Sequence, residues 1–241
     1  MAELIKVTID GKEIRVPYDT PLIEACRQAG ARVPTLCYNE NIRAYGVCRI
    51  CMVEANEGRR TRLVASCAYP VRREITVQTN TDRLRRNRAM LINLQLARCP
   101  DEKVLHELAA EFGVKEAHPR LTRDHEDCIL CGLCVRTCAE VVGASAIAFE
   151  GRGSQRRVVS PFDDENPACI ACGACAFVCP TQCIKFFDEN GKRHVERWHR
   201  VADMLVCEKC GNYWLPDAVA QTYARKMGLD PASFAVCTNC R

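Results

Sequence analysis

Cys128-Ile-Leu-Cys131-Gly-Leu-Cys134-Val-Arg-Thr-Cys138 and, thirty residues on, Cys169-Ile-Ala-Cys172-Gly-Ala-Cys175-Ala-Phe-Val-Cys179-Pro180 are two copies of one pattern, C-x2-C-x2-C-x3-C, the second with a trailing proline. In such a run three thiolates wrap a tight loop around one [4Fe–4S] cube and the fourth reaches a second cube. Crossed in this way, Cys128, Cys131, Cys134 and Cys179 hold one cluster, and Cys169, Cys172, Cys175 and Cys138 hold the other. Gly132 and Gly173 fall between ligands, where the backbone must turn sharply and approach inorganic sulfide. Structural zinc pairs two C-x2-C knuckles and has no use for a tandem triple. Disulfides do not suit a chain whose first residues, Met-Ala-Glu-Leu-Ile-Lys, carry no export signal. The pattern predicts a bacterial-type 2[4Fe–4S] domain over residues 121–190 and, with it, the transfer of single electrons.

Outward toward the N-terminus, Leu4 to Ile9 alternates like a strand, Asp10-Gly11 is a hairpin turn, and Lys12 to Val16 returns. Thr20-Pro21 reads as an N-cap and first helical residue, opening a helix to Gly30 that buries Leu22, Ile23, Cys26 and Ala29. Cys26 lies on that apolar face as a core thiol. A second cysteine set follows, Cys37, Cys48-Arg-Ile-Cys51 and Cys67, with intervals of ten, two and fifteen residues. A close pair with one thiolate before and one after suits a [2Fe–2S] centre on a β-grasp ferredoxin domain over residues 1–80, although the interval departs from the plant-type C-x4-C-x2-C. Met52 to Ala55 and Ile75 to Val77 supply further strands. Residues 81–120 read as a helical spacer, Asp82 to Arg98 and Asp101 to Phe112, packing through Leu84, Met90, Leu91, Leu94, Leu105 and Leu108.

Beyond Phe187, the polar Asp188-Glu-Asn-Gly191-Lys predicts a turn or linker into a small C-terminal unit, residues 191–241. Cys207-Glu-Lys-Cys210 and Cys237-Thr-Asn-Cys240 are paired knuckles, the signature of a tetrathiolate zinc site. The same four thiolates also serve a rubredoxin-like iron or a third [4Fe–4S] cluster. A helix from Pro216 to Met227, stopped by Gly228, fills the interval, and Trp198 and Trp214 are expected to anchor this unit or a docking face. Removing residues 198–241 is therefore expected to leave the three clusters intact but to weaken assembly with partner subunits. In the four-iron segment, Val135, Val141, Val178, Ile184 and Phe186 are expected to shield the cubes. Cys183 is expected to be a non-ligating thiol near them, not a fifth ligand, and His125 a hydrogen-bonding or plain surface residue. Nineteen cysteines in 241 residues define a metal-built α+β scaffold of small units. No apolar stretch is long enough for a membrane span, and clusters of free thiolates imply a reducing, cytoplasmic setting. Net charge is only +4, yet nine arginines fall between Arg59 and Arg88 against Glu74 and Asp82. Without stacking aromatics this patch suits an acidic partner or solvent, not nucleic acid.

In combination, these motifs over residues 3 to 190 resemble the N-terminal region of the large peripheral-arm iron–sulfur subunit of complex I. They are also similar to the small diaphorase-side subunit of NAD-linked hydrogenases and the N-terminal part of electron-bifurcating [FeFe] hydrogenases. That family often carries, in the spacer, a [4Fe–4S] site ligated by one histidine and three cysteines. Here, over residues 82–113, Cys99 is the only cysteine and His106 alone cannot complete a site, so that cluster is expected to be absent. The resemblance implies a non-catalytic subunit with one [2Fe–2S] and two [4Fe–4S] clusters. It would relay electrons between a flavin-containing NAD(P)H-binding subunit and a further redox subunit of hydrogenase or formate dehydrogenase type. No G-x-G-x-x-G follows a strand, so hydride chemistry belongs to a partner. A free-standing polyferredoxin carrier is the alternative.

Overall fold

The computed structural model describes residues 3–58, 60–115 and 127–241. The chain divides into two compact units, Met1–Cys131 and Gly132–Arg241. In the first, β1 (Leu4–Ile9) and β2 (Lys12–Pro17) form an antiparallel hairpin whose turn residues Asp10 and Gly11 both take positive φ. The predicted Asp-Gly turn forms because its left-handed backbone matches the twist of the strands. Asp10 also accepts bonds from the Thr79 amide and hydroxyl, at 2.8 and 2.5 Å. β3 (Thr20–Pro21) and α1 (Leu22–Gln28) follow, then β4 (Met52–Asn56), β5 (Thr61–Ala65), β6 (Pro70–Val71) and β7 (Ile75–Gln78). The main sheet runs β2-β1-β7-β4-β5, with β1 and β7 parallel and the other neighbours antiparallel.

Helix α1 lies on this sheet. Leu22, Ala25 and Cys26 pack with Val7, Ile9, Val53 and Val77, all buried. Burying each large aliphatic contributes about 1.5–3 kcal/mol, which fixes the loop that leaves the helix. Thr20 does not cap α1 as expected. Its hydroxyl donates to the Pro17 carbonyl at 2.7 Å, Thr20 and Pro21 bridge to β6, and the helix starts at Leu22 with no side-chain cap.

The spacer helices are α2 (Asp82–Arg98), capped by Thr81, and α3 (Lys103–Phe112), ended by left-handed Gly113. The buried stripe of α2 is Leu84, Arg88, Ile92 and Leu96, at four-residue spacing. Met90 and Leu94, expected inside, lie off that stripe and are exposed. The arginines of the N-terminal half are not one patch either. Arg62 pairs with Glu57, Arg72 with Asp19 and Arg83 with Glu54, while Arg88 is buried.

In the second unit, α4 (Leu133–Arg136) runs into a π-helical turn, Thr137–Val142. β8 (Ala148–Glu150) and β9 (Arg157–Val159) form a hairpin, and α5 (Ala174–Phe177) follows the second cysteine triplet. β10 (Phe186–Glu189), β11 (Lys192–Val195), β12 (Arg200–Val206) and β13 (Tyr213–Pro216) make one antiparallel sheet, and α6 (Asp217–Met227) ends at left-handed Gly228 as predicted.

Of the expected turn or linker at Asp188–Lys192, the turn forms, as a hairpin tip inside that sheet. Gly191 takes φ +75°, and a β-carbon there would meet the Tyr213 ring at 2.8 Å, so glycine is needed twice over. The tail also shares a core with the four-iron segment: Val219 of α6 packs with Val142 and Ile170. Among the expected shielding residues, Ile184 is buried, Val135 and Val178 are half-buried, and Val141 and Phe186 are exposed. The extra residue per turn of a π-helix shifts the inward position from Val141 to Val142.

Candidate iron–sulfur and tetrathiolate sites

The loop between α1 and β4 carries Cys37 and Cys48 and ends at Cys51. Cys67 sits on a short helical turn, Ser66–Ala68, directly after β5. All four are buried, and the Cys51 and Cys67 sulfurs are 3.3 Å apart. Ser66 pins the two strands' ends together, its hydroxyl donating to the Cys51 carbonyl at 2.8 Å. Hydrogen bonds from the Cys48 and Cys67 thiols hold Cys37 down to about 2, whereas Cys48 and Cys67 are pushed up because they keep their protons beside it. The Cys67 thiol likewise holds Cys51 down to about 7. Four buried sulfurs competing for protons make a donor set that soft, multivalent iron satisfies and protons do not. A [2Fe–2S] centre fits it. Cys26 stands apart, its thiol pushed up to about 12 by burial, as a core residue. Cys99 is buried at the end of α2, and His106 bonds the Pro100 carbonyl at 2.6 Å.

Beneath this loop lies Arg88, which no sequence motif marks as part of a site. It is 1% exposed, and its guanidinium donates to the carbonyls of Ile50 (3.2 Å) and Met52 (2.8 Å), on either side of Cys51.

In the second unit an apolar pocket is lined by Cys138, Cys169, Cys172 and Cys175, closed by Ile147 and Trp198. The π-helical turn brings Cys138 there, where the Ala146 amide donates to its sulfur at 3.3 Å. Trp198, 1% exposed, donates its indole N–H to Cys175 Sγ at 3.5 Å. It roofs this pocket and, being buried, lies on no docking face. Arg200 fixes the loop from outside, donating to the Cys169 carbonyl at 2.8 Å while pairing with Glu165 at 2.6 Å. Burial pushes Cys175 up to about 11 and raises Cys169 and Cys172. Thiols kept protonated by a dry pocket become ligands when iron supplies the countercharge, so a [4Fe–4S] cube fits these four residues.

Cys128 and Cys131 close the first unit, with Arg98 donating to the Cys128 carbonyl at 3.0 Å. Cys134 lies in α4, and Cys179 has Thr181 Oγ1 at 3.4 Å and Cys183 Sγ at 3.6 Å. The two runs repeat one backbone. Leu130 and Ala171 take φ of 53° and 55°, and Gly132 and Gly173 take 72° and 77°. At Gly173 a β-carbon would also press on the Phe186 ring at 3.3 Å. His125 lies outside the described residues.

The tail cysteines Cys207, Cys210, Cys237 and Cys240 converge, with all four sulfurs within 4.8 Å of one another. Cys210 and Cys237 sulfurs are 3.9 Å apart, close to the roughly 3.8 Å edge that zinc–sulfur bonds of about 2.3 Å give a tetrahedron. Amide bonds, first from Cys237 at 3.3 Å and then from Cys210, hold Cys207 down to about 6. The neighbouring thiols, Cys237 first, push Cys240 up to about 12. The donor set fits one tetrahedral metal ion.

Known proteins resemble this chain over part of their length. Residues 2–82 match the family "2Fe-2S iron-sulfur cluster binding domain". The chain is 33% identical over 210 residues to NADP-reducing hydrogenase subunit HndD of Solidesulfovibrio fructosivorans, covering 74% of this chain and 35% of that protein. It is 31% identical over 232 residues to the alpha chain of NADPH-Fe(3+) oxidoreductase of Geobacter sulfurreducens, covering 86% of this chain and 27% of that one. Among solved structures, a chain of NAD+-reducing [NiFe]-hydrogenase in the H2-reduced state aligns with TM-score 0.56 and 30% identity, over 65% of this chain and 74% of that chain. The chain belongs to the iron–sulfur subunit family of NAD(P)-linked oxidoreductases and hydrogenases. It spans only about a quarter to a third of the curated relatives' length. Among the described residues no helix is long and apolar enough to cross a membrane.

Proposed function

We propose that this chain is a one-electron relay within a multi-subunit NAD(P)H-linked oxidoreductase, non-catalytic in itself. Its segments would be a [2Fe–2S] domain (1–80), a helical spacer (81–120), a 2[4Fe–4S] domain (121–190) and a metal-bound tail (191–241). Cys37, Cys48, Cys51 and Cys67 would hold the two-iron centre. One cube would sit on Cys128, Cys131, Cys134 and Cys179, the other on Cys169, Cys172, Cys175 and Cys138, and zinc on Cys207, Cys210, Cys237 and Cys240. When bound, the clusters supply one-electron redox levels; the chain's own residues hold them, exclude water and set their electrostatics. The partners would be a flavin-containing NAD(P)H-binding subunit and a further redox subunit of hydrogenase or formate dehydrogenase type, in a reducing cytoplasm.

The observation that carries this reading is the convergence of Cys138, from the first cysteine run, on the pocket of the second triplet. Crossed ligation of that kind belongs to paired cubes and has no counterpart in a zinc knuckle. The test is anaerobic reconstitution of the full chain followed by electron paramagnetic resonance of reduced material. A two-iron signal that Cys48→Ala abolishes, beside four-iron signals that survive, is the expected result. A wild-type chain that binds only zinc would end the proposal.

A further inference from the structure

Helix α2 buries one of its arginines beneath the N-terminal cysteine set, and we infer that Arg88 is the built-in counter-cation of that set, raising the reduction potential of its two-iron centre. The inference rests on the [2Fe–2S] reading of Cys37, Cys48, Cys51 and Cys67. Arg88 sits in the middle of the apolar stripe Leu84, Ile92 and Leu96 and is 1% exposed. A guanidinium is among the least tolerated groups at such a position unless it is both hydrogen-bonded and charge-balanced.

Its hydrogen bonds account for the first requirement. Nε donates to the Ile50 carbonyl at 3.2 Å and Nη2 to the Met52 carbonyl at 2.8 Å, so the fork spans the two peptides that bracket Cys51. The face of Phe112, 5.6 Å away, covers the guanidinium. Carbonyls are dipoles and do not neutralise the charge. Burial works against the charged form of Arg88; the largest attraction offsetting it comes from Cys51, ahead of Glu111, with Asp10 weaker still and Arg85 opposing. Of the cysteine set, Cys51 thus supplies the largest share of the countercharge, with Glu111 adding to it, and the Arg88 fork sits on the two peptides that flank that residue. Four thiolates and two bridging sulfides around two ferric ions would leave a net negative site, and each reduction adds one electron to it with no bond made or broken. A fixed cation in a poorly screened interior stabilises the more negative state more strongly. Arg88 is therefore a positioning residue for the Cys51 loop and an electrostatic one for the electron.

The experiment is a mediated potentiometric titration of full-length, anaerobically reconstituted wild type, Arg88→Met and Arg88→Lys. The two-iron resonance is read at a temperature where four-iron signals have broadened away. In Arg88→Met the signal should persist while the reduced-to-oxidised ratio at fixed potential falls about tenfold, a midpoint lower by about 59 mV for one electron. Arg88→Lys, which keeps the charge, should restore most of the midpoint. A methionine variant with full signal and an unchanged midpoint overturns the inference and leaves the cluster assignment standing, whereas a wild type without a two-iron signal ends the assignment itself. If the methionine variant cannot hold its cluster, the lysine variant decides. Cluster retention near the wild-type midpoint supports the role. A tenfold fall, or loss of the cluster, reduces Arg88 to a packing residue.

Discussion

A hydrogen bond to a ligating sulfur draws negative charge off the thiolate and eases reduction. Trp198 is placed to do this at Cys175, with its ring excluding water from the same pocket. Replacing Trp198 with Phe keeps most of the ring and removes the donor. The loss, on the order of 1 kcal/mol, should lower the midpoint of the cluster on Cys169, Cys172, Cys175 and Cys138 by a few-fold in its redox ratio. Potentiometry of the four-iron signals checks this, and a midpoint unmoved by Phe while Ala lowers it would assign Trp198 to water exclusion alone. Residues of this kind were not legible in the chain. The cysteine sets were, because their spacing within each run is local in sequence. Trp198 meets Cys175 across 23 residues and Arg88 meets Ile50 across 38, with no local pattern linking either pair. The one available sign was an arginine at position 88, in step with Leu84, Ile92 and Leu96.

Among the elements, hairpins and helices with strong local chemistry were readable: the Asp10-Gly11 turn, the Thr81-capped helix α2, and α6 stopped by Gly228. β5 went unread because Thr61–Ala65 alternates weakly and is only partly buried. The π-helical turn Thr137–Val142 went unread because nothing in a six-residue stretch separates it from an α-helix. Its consequence is specific. By widening the turn it directs Cys138 into the pocket of the other triplet, with the Ala146 amide on its sulfur. Cys138→Ala should therefore remove or convert the cluster on Cys169, Cys172 and Cys175, with total iron falling by up to about four atoms while the two-iron signal stays at full intensity. Loss confined instead to the cluster bearing Cys128, Cys131 and Cys134 would contradict the crossed arrangement.

For the molecule as a whole, metal content separates the readings of the tail. One [2Fe–2S] and two [4Fe–4S] clusters give about ten iron atoms, and a zinc-bound tail adds about one zinc. A third cube in the tail would bring iron to about fourteen with no zinc. The tail is also not the detachable piece that its sequence suggests. Residues from 198 onward include Trp198, which closes the second-triplet pocket, and Val219, which packs with Val142 and Ile170 behind it. Lys226 of α6 donates to the Val142 carbonyl at the end of the π-helical turn. Deleting residues 198–241 should therefore cost the chain the four-iron cluster of that pocket, not only its zinc, while the N-terminal two-iron signal survives in a separate compact unit. Cys237→Ser with Cys240→Ser is the gentler control, releasing zinc but leaving Trp198 in place and most of the iron bound. Metal analysis and resonance spectra of the three anaerobically purified proteins decide it. A truncated chain that keeps all of its roughly ten iron atoms would show that Trp198 and α6 merely rest on a pocket that holds its cluster without them.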